Sequence, residues 1–465
     1  MQPGGFEQIV AREQGLHRRL GSARLSMIAL GGAIGTGLFL GSAFAIGLAG
    51  PGVLVSYAIG ALVALLLAGC LAEMTLAHPV TGSFGAFAEY YLGPLAGFLV
   101  RYTYWTCIVL AVGTEVSAVA VYMRFWFPAV PGWCWVLGFS ATLIAINACS
   151  VGAFGLVEYW FSAIKVTAIL AFIALATWIL LRGGGPASGM GLRNYSGYGG
   201  FLPHGAWGVW VAVIVALFSY LSIEMIAVAA GEAEDPGRTV RRAFRVTAVR
   251  LVLFYLATLA LILALVPWPS VGTQESPFVR VMRLLGIPAA AGVCNLVILI
   301  AALSAMNSQL YITTRTLFSL ARAGAAPARF GVLSTRGIPL QALMMSSIGV
   351  AAAAVANVLA PAGAYLAMVS VSAFGALFTW MMIFLTHYRF RRAQGPAAPG
   401  AFRMAGFPLT TLTGAALMAA VLVTSAFTAQ FRLTLVFGLP FLGLLVCIYR
   451  LRHRSGRASS SSPAR

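Results

Sequence analysis

Apolar stretches of about 20 residues recur along this chain, each closed by a short polar or Gly/Pro-containing break. At 1.5 Å of rise per residue, that length matches a hydrocarbon core of about 30 Å. The pattern predicts twelve spanning helices, at 26–49, 52–76, 94–123, 133–150, 158–181, 206–230, 246–267, 289–318, 340–358, 361–386, 407–428 and 431–450. Two of the twelve are interrupted. The first carries "GGAIGTG" from Gly31 to Gly37, where glycines lower the cost of leaving helical geometry and admit close approach to the main chain. A spanning helix gives up backbone hydrogen bonds only where protein or a polar cavity replaces them. Two half-helices meeting there present free N–H groups from one side and carbonyls from the other, which suits a zwitterion. The alternative is a helix–helix contact of the small-xxx-small kind, for which Gly31/Gly35 and Gly37/Gly41 qualify.

The sixth span, "VIVALFSYLSIEMIAVAAGEAEDPGR", sets Ser219, Tyr220, Ser222 and Glu224 between apolar flanks. A carboxylate there is costly unless protonated, paired or facing a cavity, so Glu224 is either functional or a structural acid bonded to loosened backbone. Interruptions at corresponding places in the two halves point to a substrate site near the midplane, at a repeat interface.

Composition agrees: 60% of the 465 residues are hydrophobic, 9% are charged, and mean hydropathy is +0.91. Such a chain is a polytopic membrane protein and not a soluble domain with an anchor. The polar segment before the first span has no small-residue cleavage site of the signal-peptide kind. The net charge of +19 would suggest nucleic acid in a soluble protein. Here the arginines cluster in alternate connections: twenty lie on the side of the N-terminus, against Arg124, Arg182, Arg193, Arg280, Arg283 and Arg432 on the other. By the positive-inside rule both termini are cytoplasmic, and nucleic acid is not expected as a partner. Arg101, Arg250 and Arg315 fall near span ends, where snorkelling is expected. Six scattered cysteines without a CxxC pair read as small packing residues, with no metal, disulfide framework or cofactor expected. Walker A and dinucleotide readings of the glycines fail for want of their lysine and their strand context.

Lys165 is the only lysine, eight residues into the fifth span and so roughly 10 Å from its polar end. It either snorkels or faces the bundle. A desolvated lysine releases its proton where arginine does not, which makes Lys165 a candidate for the coupling proton. Glu115 is the other deep acid, either paired with a neighbouring span or part of proton passage. Glu73 and Glu89 flank a cytoplasmic connection and are expected to be solvated or to meet loop arginines; Glu158, at a membrane edge, reads the same way. In "GEAEDPGRTVRRAF", Glu232 is a candidate for a cytoplasmic latch through screened ion pairs.

The motifs "LGGAIGTGLFLGSA", "PVTGSFGAFAEYYLGPLAGF", "NYSGYGGFLPHG", "FSYLSIEMIAVAAGEAEDP" and "LSAMNSQLYITTRTLFSLA" occur in order over residues 15 to 450. Together they resemble the bacterial amino acid permeases, the amino acid transporter branch of the amino acid–polyamine–organocation superfamily. The resemblance implies an all-α membrane protein of the LeuT-like fold, with spans one to five (26–181) and six to ten (206–386) as an inverted 5+5 repeat. The first and sixth helices are broken, two helices (407–450) are appended, and polar ends lie at 1–25 and 451–465, the latter basic and expected to be disordered. It also implies a transporter, not an enzyme, importing an amino acid with a proton across the cytoplasmic membrane by alternating access, in contact with lipid.

Carried over by motif, the substrate carboxylate falls on Ala33, Ile34, Gly35, Thr36 and Gly37. The amine falls around Phe218, Ser219, Leu221 and Ser222, with Phe218 as an aromatic lid. Glu224 matches a carboxylate that follows the break, and Lys165 matches the fifth-span lysine of proton-coupled relatives. Asn307 and Ser308 lie in "SxxNSxxY" and line the central region. Many members carry two glycines where this chain has Leu221 and Ser222, a variant associated with permeases for neutral amino acids or gamma-aminobutyrate. Exchange of one amino acid for another is the competing mode of transport.

Overall fold

The computed structural model describes residues 5–13, 31–80, 82–149, 151–182, 191–230, 236–284, 286, 288–394 and 402–460, and every regular element among them is helical. A short helix, α1 (Phe6–Glu13), precedes the membrane region. Eleven stretches among the described residues are long and apolar enough to cross a bilayer. The first, Gly31–Ala77, is 47 residues long. That is roughly 70 Å of helix, more than twice the hydrocarbon thickness. It is divided by a turn at Gly50-Pro51-Gly52 into α2 (Ser42–Ala49) and α3 (Val53–Ala77).

A connection helix α4 (Ser83–Tyr91) leads to α5 (Pro94–Met123), α6 (Gly132–Cys149) and α7 (Val151–Leu181). The second half runs α8 (Gly205–Tyr220), α9 (Met225–Ala229), α10 (Pro236–Leu265), a short α11 (Pro277–Leu284), α12 (Pro288–Arg322), α13 (Leu340–Ser346), α14 (Ile348–Leu359) and α15 (Ala364–Ala393). Helices α16 (Leu409–Thr424) and α17 (Arg432–Ser460) follow. Proline opens α5, α10, α11 and α12, where its missing N–H costs nothing and its fixed φ suits the first turn.

Helices α7 and α10 begin several residues before the apolar windows that predict them, so the arginines at 238 to 245 lie on a helix and not in a loop. Burial sorts the bundle. The window of α8 and α9 is 100% buried and that of α5 is 83% buried, while those of α6 and α17 are only 22% buried. The central posts are therefore α5 and α8. The exposed Leu156, Trp160, Trp178 and Leu181 of α7 form an apolar face that lipid, and not water, accommodates.

Several expectations are corrected by packing. Arg101 does not snorkel: it is buried and bonds Glu89 at 2.5 Å. Arg315 is buried as well, with its guanidinium 3.3 Å from the ring centre of Tyr311. Glu73 meets an arginine but is not solvated, since it takes Arg391 at 2.7 Å, His387 at 3.1 Å and the Met404 N–H at 2.8 Å. Cys70 and Cys107 pack inside, whereas Cys149 and Cys447 are exposed on outer helices. The Glu232 latch lies outside the described residues.

Candidate functional site

Residues 31–33 are helical, the chain bends at Ile34 and Gly35, and a π-helical turn Gly37–Gly41 leads into α2. The bend frees a run of carbonyls, and four helices other than its own answer them or its N–H groups. The Lys165 ammonium on α7 donates to the Gly31 carbonyl at 2.5 Å and the Ile34 carbonyl at 3.0 Å. From α10, the Tyr255 hydroxyl lies 2.6 Å from the Ala33 carbonyl and 2.8 Å from the Ser219 carbonyl, so one side chain touches both interrupted segments. Tyr365 on α15 donates to the Thr36 carbonyl at 3.1 Å. The Thr36 N–H donates to Glu115 Oε2 on α5 at 3.1 Å. Buried main-chain groups are rarely left unpaired, and here side chains take the place of the lost helical bonds.

The second interruption follows α8. Leu221 is extended, at φ −56° and ψ 147°, and Ser222 has φ +87°, a left-handed conformation that a non-glycine residue adopts at a cost. Glu224 helps to hold it: both its carboxylate oxygens lie 3.1 Å from the Ser222 N–H, and Tyr104 of α5 donates to Oε1 at 3.1 Å. The two breaks touch. A Cβ on Gly37 would sit 2.7 Å from the Ser219 Cα, so only glycine allows this approach. Tyr57 of α3 bonds the Ser219 hydroxyl at 2.9 Å.

The sequence-derived positions Ala33, Ile34, Gly35, Thr36, Gly37, Phe218, Ser219, Leu221 and Ser222 come together, and all are buried. Ser222 Oγ is fully buried without a hydrogen-bond partner, and it faces Gly32 across the junction. Phe218 lines a gap of about 10 Å³ with Leu217, Leu377 and Trp380, a space no larger than one water molecule requires.

Glu158 overturns its expected place at a solvated edge. It is 0% exposed, accepting from Ser304 Oγ at 2.6 Å, Asn307 Nδ2 at 3.1 Å and Ser162 Oγ at 3.2 Å. Asn307 accepts in turn from Asn147 Nδ2 at 2.8 Å, which links α6, α7 and α12, and Ser308 is buried beside it. Glu158 and Glu115 both lie within electrostatic reach of Lys165. A Cβ on Gly31 would overlap the Glu158 carboxylate, so this glycine too is a close-approach residue. Glu158 lies seven residues before Lys165, two turns along one helical face, and that spacing was the signal available in the sequence. No cluster of three or more His, Cys, Asp or Glu side chains among the described residues has the makings of a metal site.

The family described as "Amino acid permease" matches residues 24–459. The uncharacterized amino acid permease YtnA of Bacillus subtilis is 38% identical over 97% of this chain and 98% of its own length. The aromatic amino acid transport proteins AroP of Escherichia coli K12 and of Shigella flexneri are each 39% identical over 89% of this chain and 90% of their own. The chain belongs to the bacterial amino acid permeases of the amino acid–polyamine–organocation superfamily, membrane transporters of amino acids and not enzymes.

Proposed function

We propose that this chain is a proton-coupled symporter that brings a neutral amino acid into the cell across the cytoplasmic membrane. The reading takes the Gly31–Ala77 stretch as two crossings, giving twelve in all, with spans one to five and six to ten as inverted repeats and both termini cytoplasmic. Substrate carboxylate binds main-chain N–H groups around Thr36 and Gly37, and its amine faces the carbonyls and hydroxyls around Ser219 and Ser222. The observation that carries the proposal is the position of Lys165. Its amine rests on two carbonyls of the first break, beside Glu158 and Glu115, so proton loss there removes the charge that strengthens both bonds and loosens the hold on the bent segment.

Glu115 extends the reading. Its carboxylate occupies the Thr36 N–H that a substrate carboxylate requires, so arriving substrate displaces Glu115 toward Lys165 and ties loading to proton movement.

The test is uptake into proteoliposomes of a panel of the twenty amino acids and gamma-aminobutyrate, at two pH values. Accumulation is expected with an inward proton gradient, and Lys165→Ala and Lys165→Arg are each expected to reduce it at least tenfold, because arginine keeps its proton. Undiminished uptake after collapse of the gradient, or a strict need for preloaded amino acid, would assign exchange instead. A second reading of the substrate is an aromatic amino acid, favoured by the transport function named for the AroP relatives.

A further inference from the structure

Three of the six arginines on the face away from the N-terminus converge on one cavity. Arg124 follows the end of α5, and Arg280 and Arg283 lie on α11; with Asn295 and Gln274 they line a cavity of about 420 Å³. That volume falls within the ~300–1,000 Å³ of small-molecule sites. The cavity holds one acid against three cations. Glu275 pairs with Arg283 at 2.9 Å and stands 3.7 Å from Arg280. Arg124 has no acid within ion-pair distance among the described residues, and Arg280 Nε is buried without a hydrogen-bond partner. Two guanidinium groups therefore have donor capacity left over, in a polar recess where an anion would satisfy it.

The recess also adjoins the central site. Tyr122 of α5 lines it; the Tyr122 carbonyl is held by Asn295 Nδ2 at 2.9 Å, and its buried, unpartnered hydroxyl lies within electrostatic reach of Tyr365 and Glu115. Helix α11, which carries two of the arginines, turns its apolar face inward. Phe278 packs on Phe39 of the π-helical turn, with ring centres 5.0 Å apart, and on Phe172 of α7 at 4.7 Å. A group held by Arg280 is thus one short helix away from the first broken segment.

We infer that this cavity is an outer anion site that takes the carboxylate of an incoming amino acid before it reaches the central junction. Its outward placement rests on the orientation proposed above. Clustered charge in a recess concentrates oppositely charged ligand and raises capture rate more than final affinity, with strong salt dependence.

The test is calorimetric titration of the full chain, in phosphatidylcholine nanodiscs at low salt, with N-acetylphenylalanine, a carboxylate that lacks the free amine. Saturable binding is expected that weakens at least fivefold in Arg124→Gln and in Arg280→Gln and fades at 0.5 M salt, about a Debye length of 4–5 Å. Arg432→Gln, on the same face but outside the cavity, is expected to bind like the parent. Arg124 is exposed and has no acid within ion-pair distance among the described residues, so its replacement tests the site without disturbing the fold. Binding that is absent, that ignores both arginine changes, or that is lost in Thr36→Val instead overturns the inference. So does loss of probe binding when half the lipid is phosphatidylglycerol, which would make the cavity a seat for lipid headgroups. The measurement needs no gradient: probe binding by a chain that accumulates no amino acid would defeat the symport reading and leave the anion site standing.

Discussion

Glu158 and Lys165 share one face of α7, and together they touch the chain around Gly31 through a carboxylate on one side and an ammonium on the other. Opposite charges so placed each lessen the other's desolvation, and the hydroxyl and amide donors around Glu158 supply the rest. Replacing Glu158 by Gln keeps the shape and removes the charge. We expect Glu158→Gln to insert and fold but to lose gradient-driven accumulation at least fivefold in proteoliposomes; accumulation equal to the parent's would make Glu158 a packing residue. Gly31→Ala tests the same contact from the other side. The added methyl would strike the Glu158 carboxylate, an overpacking cost of about 1–3 kcal/mol, expected as a lowered Tm of the purified protein.

Among the elements, the interruptions matter more than the helices. Hydropathy disclosed the spans because lipid demands long apolar runs, and "GGAIGTG" and the Ser219–Glu224 cluster disclosed where two of them fail, because a polar or glycine-rich centre has no place in a lipid-facing helix. What could not be read was which side chains repair the breaks. Tyr57, Tyr255 and Tyr365 come from helices distant in sequence, and a tyrosine in an apolar run looks the same whether it faces a headgroup or a buried carbonyl. Glu158 was hidden for a related reason, since its place near the start of an apolar window resembles a solvated helix end.

Tyr255 offers the sharpest test at this scale. Its hydroxyl lies against carbonyls of both broken segments, and Tyr255→Phe removes the one O–H donor they share, at about 1–3 kcal/mol. The expected result is a lower Tm together with a slower turnover at saturating substrate. A change in Tm alone would make the tyrosine structural.

Helix α1 gives a prediction with a definite pH sign. Phe6 stacks on His78, with ring centres 4.1 Å apart, just beyond the end of α3, and burial holds the His78 imidazole below its ordinary value of 6.5. A histidine whose folded value is depressed contributes fully above the unfolded value, and its contribution is lost as pH falls through the folded one. Docking of α1 is therefore expected to be complete near pH 7.5 and to loosen below 6.5. Amide hydrogen exchange of residues 6–13, corrected for its own pH dependence, would show this, and constant protection down to pH 5 would contradict it.

For the molecule as a whole, orientation decides which face each site serves. On the proposed orientation, with both termini cytoplasmic, the arginine count puts Arg124, Arg280 and Arg283 outside, where the basic recess would meet substrate before the central junction does. Positive residues resist translocation, and twenty against six leaves a large margin, while the few acids barely enter the rule. A fluorescent protein fused after Arg465 is expected to fluoresce, and alkaline phosphatase fused at the same point is expected to stay inactive, since one folds in the cytoplasm and the other needs the oxidising exterior. Phosphatase fused after Arg124 is expected to be active. The opposite pattern would turn the carrier over: the arginine recess would then face the cytoplasm, where it would meet amino acid on its way out, and both the direction of uptake and the capture site would fall together.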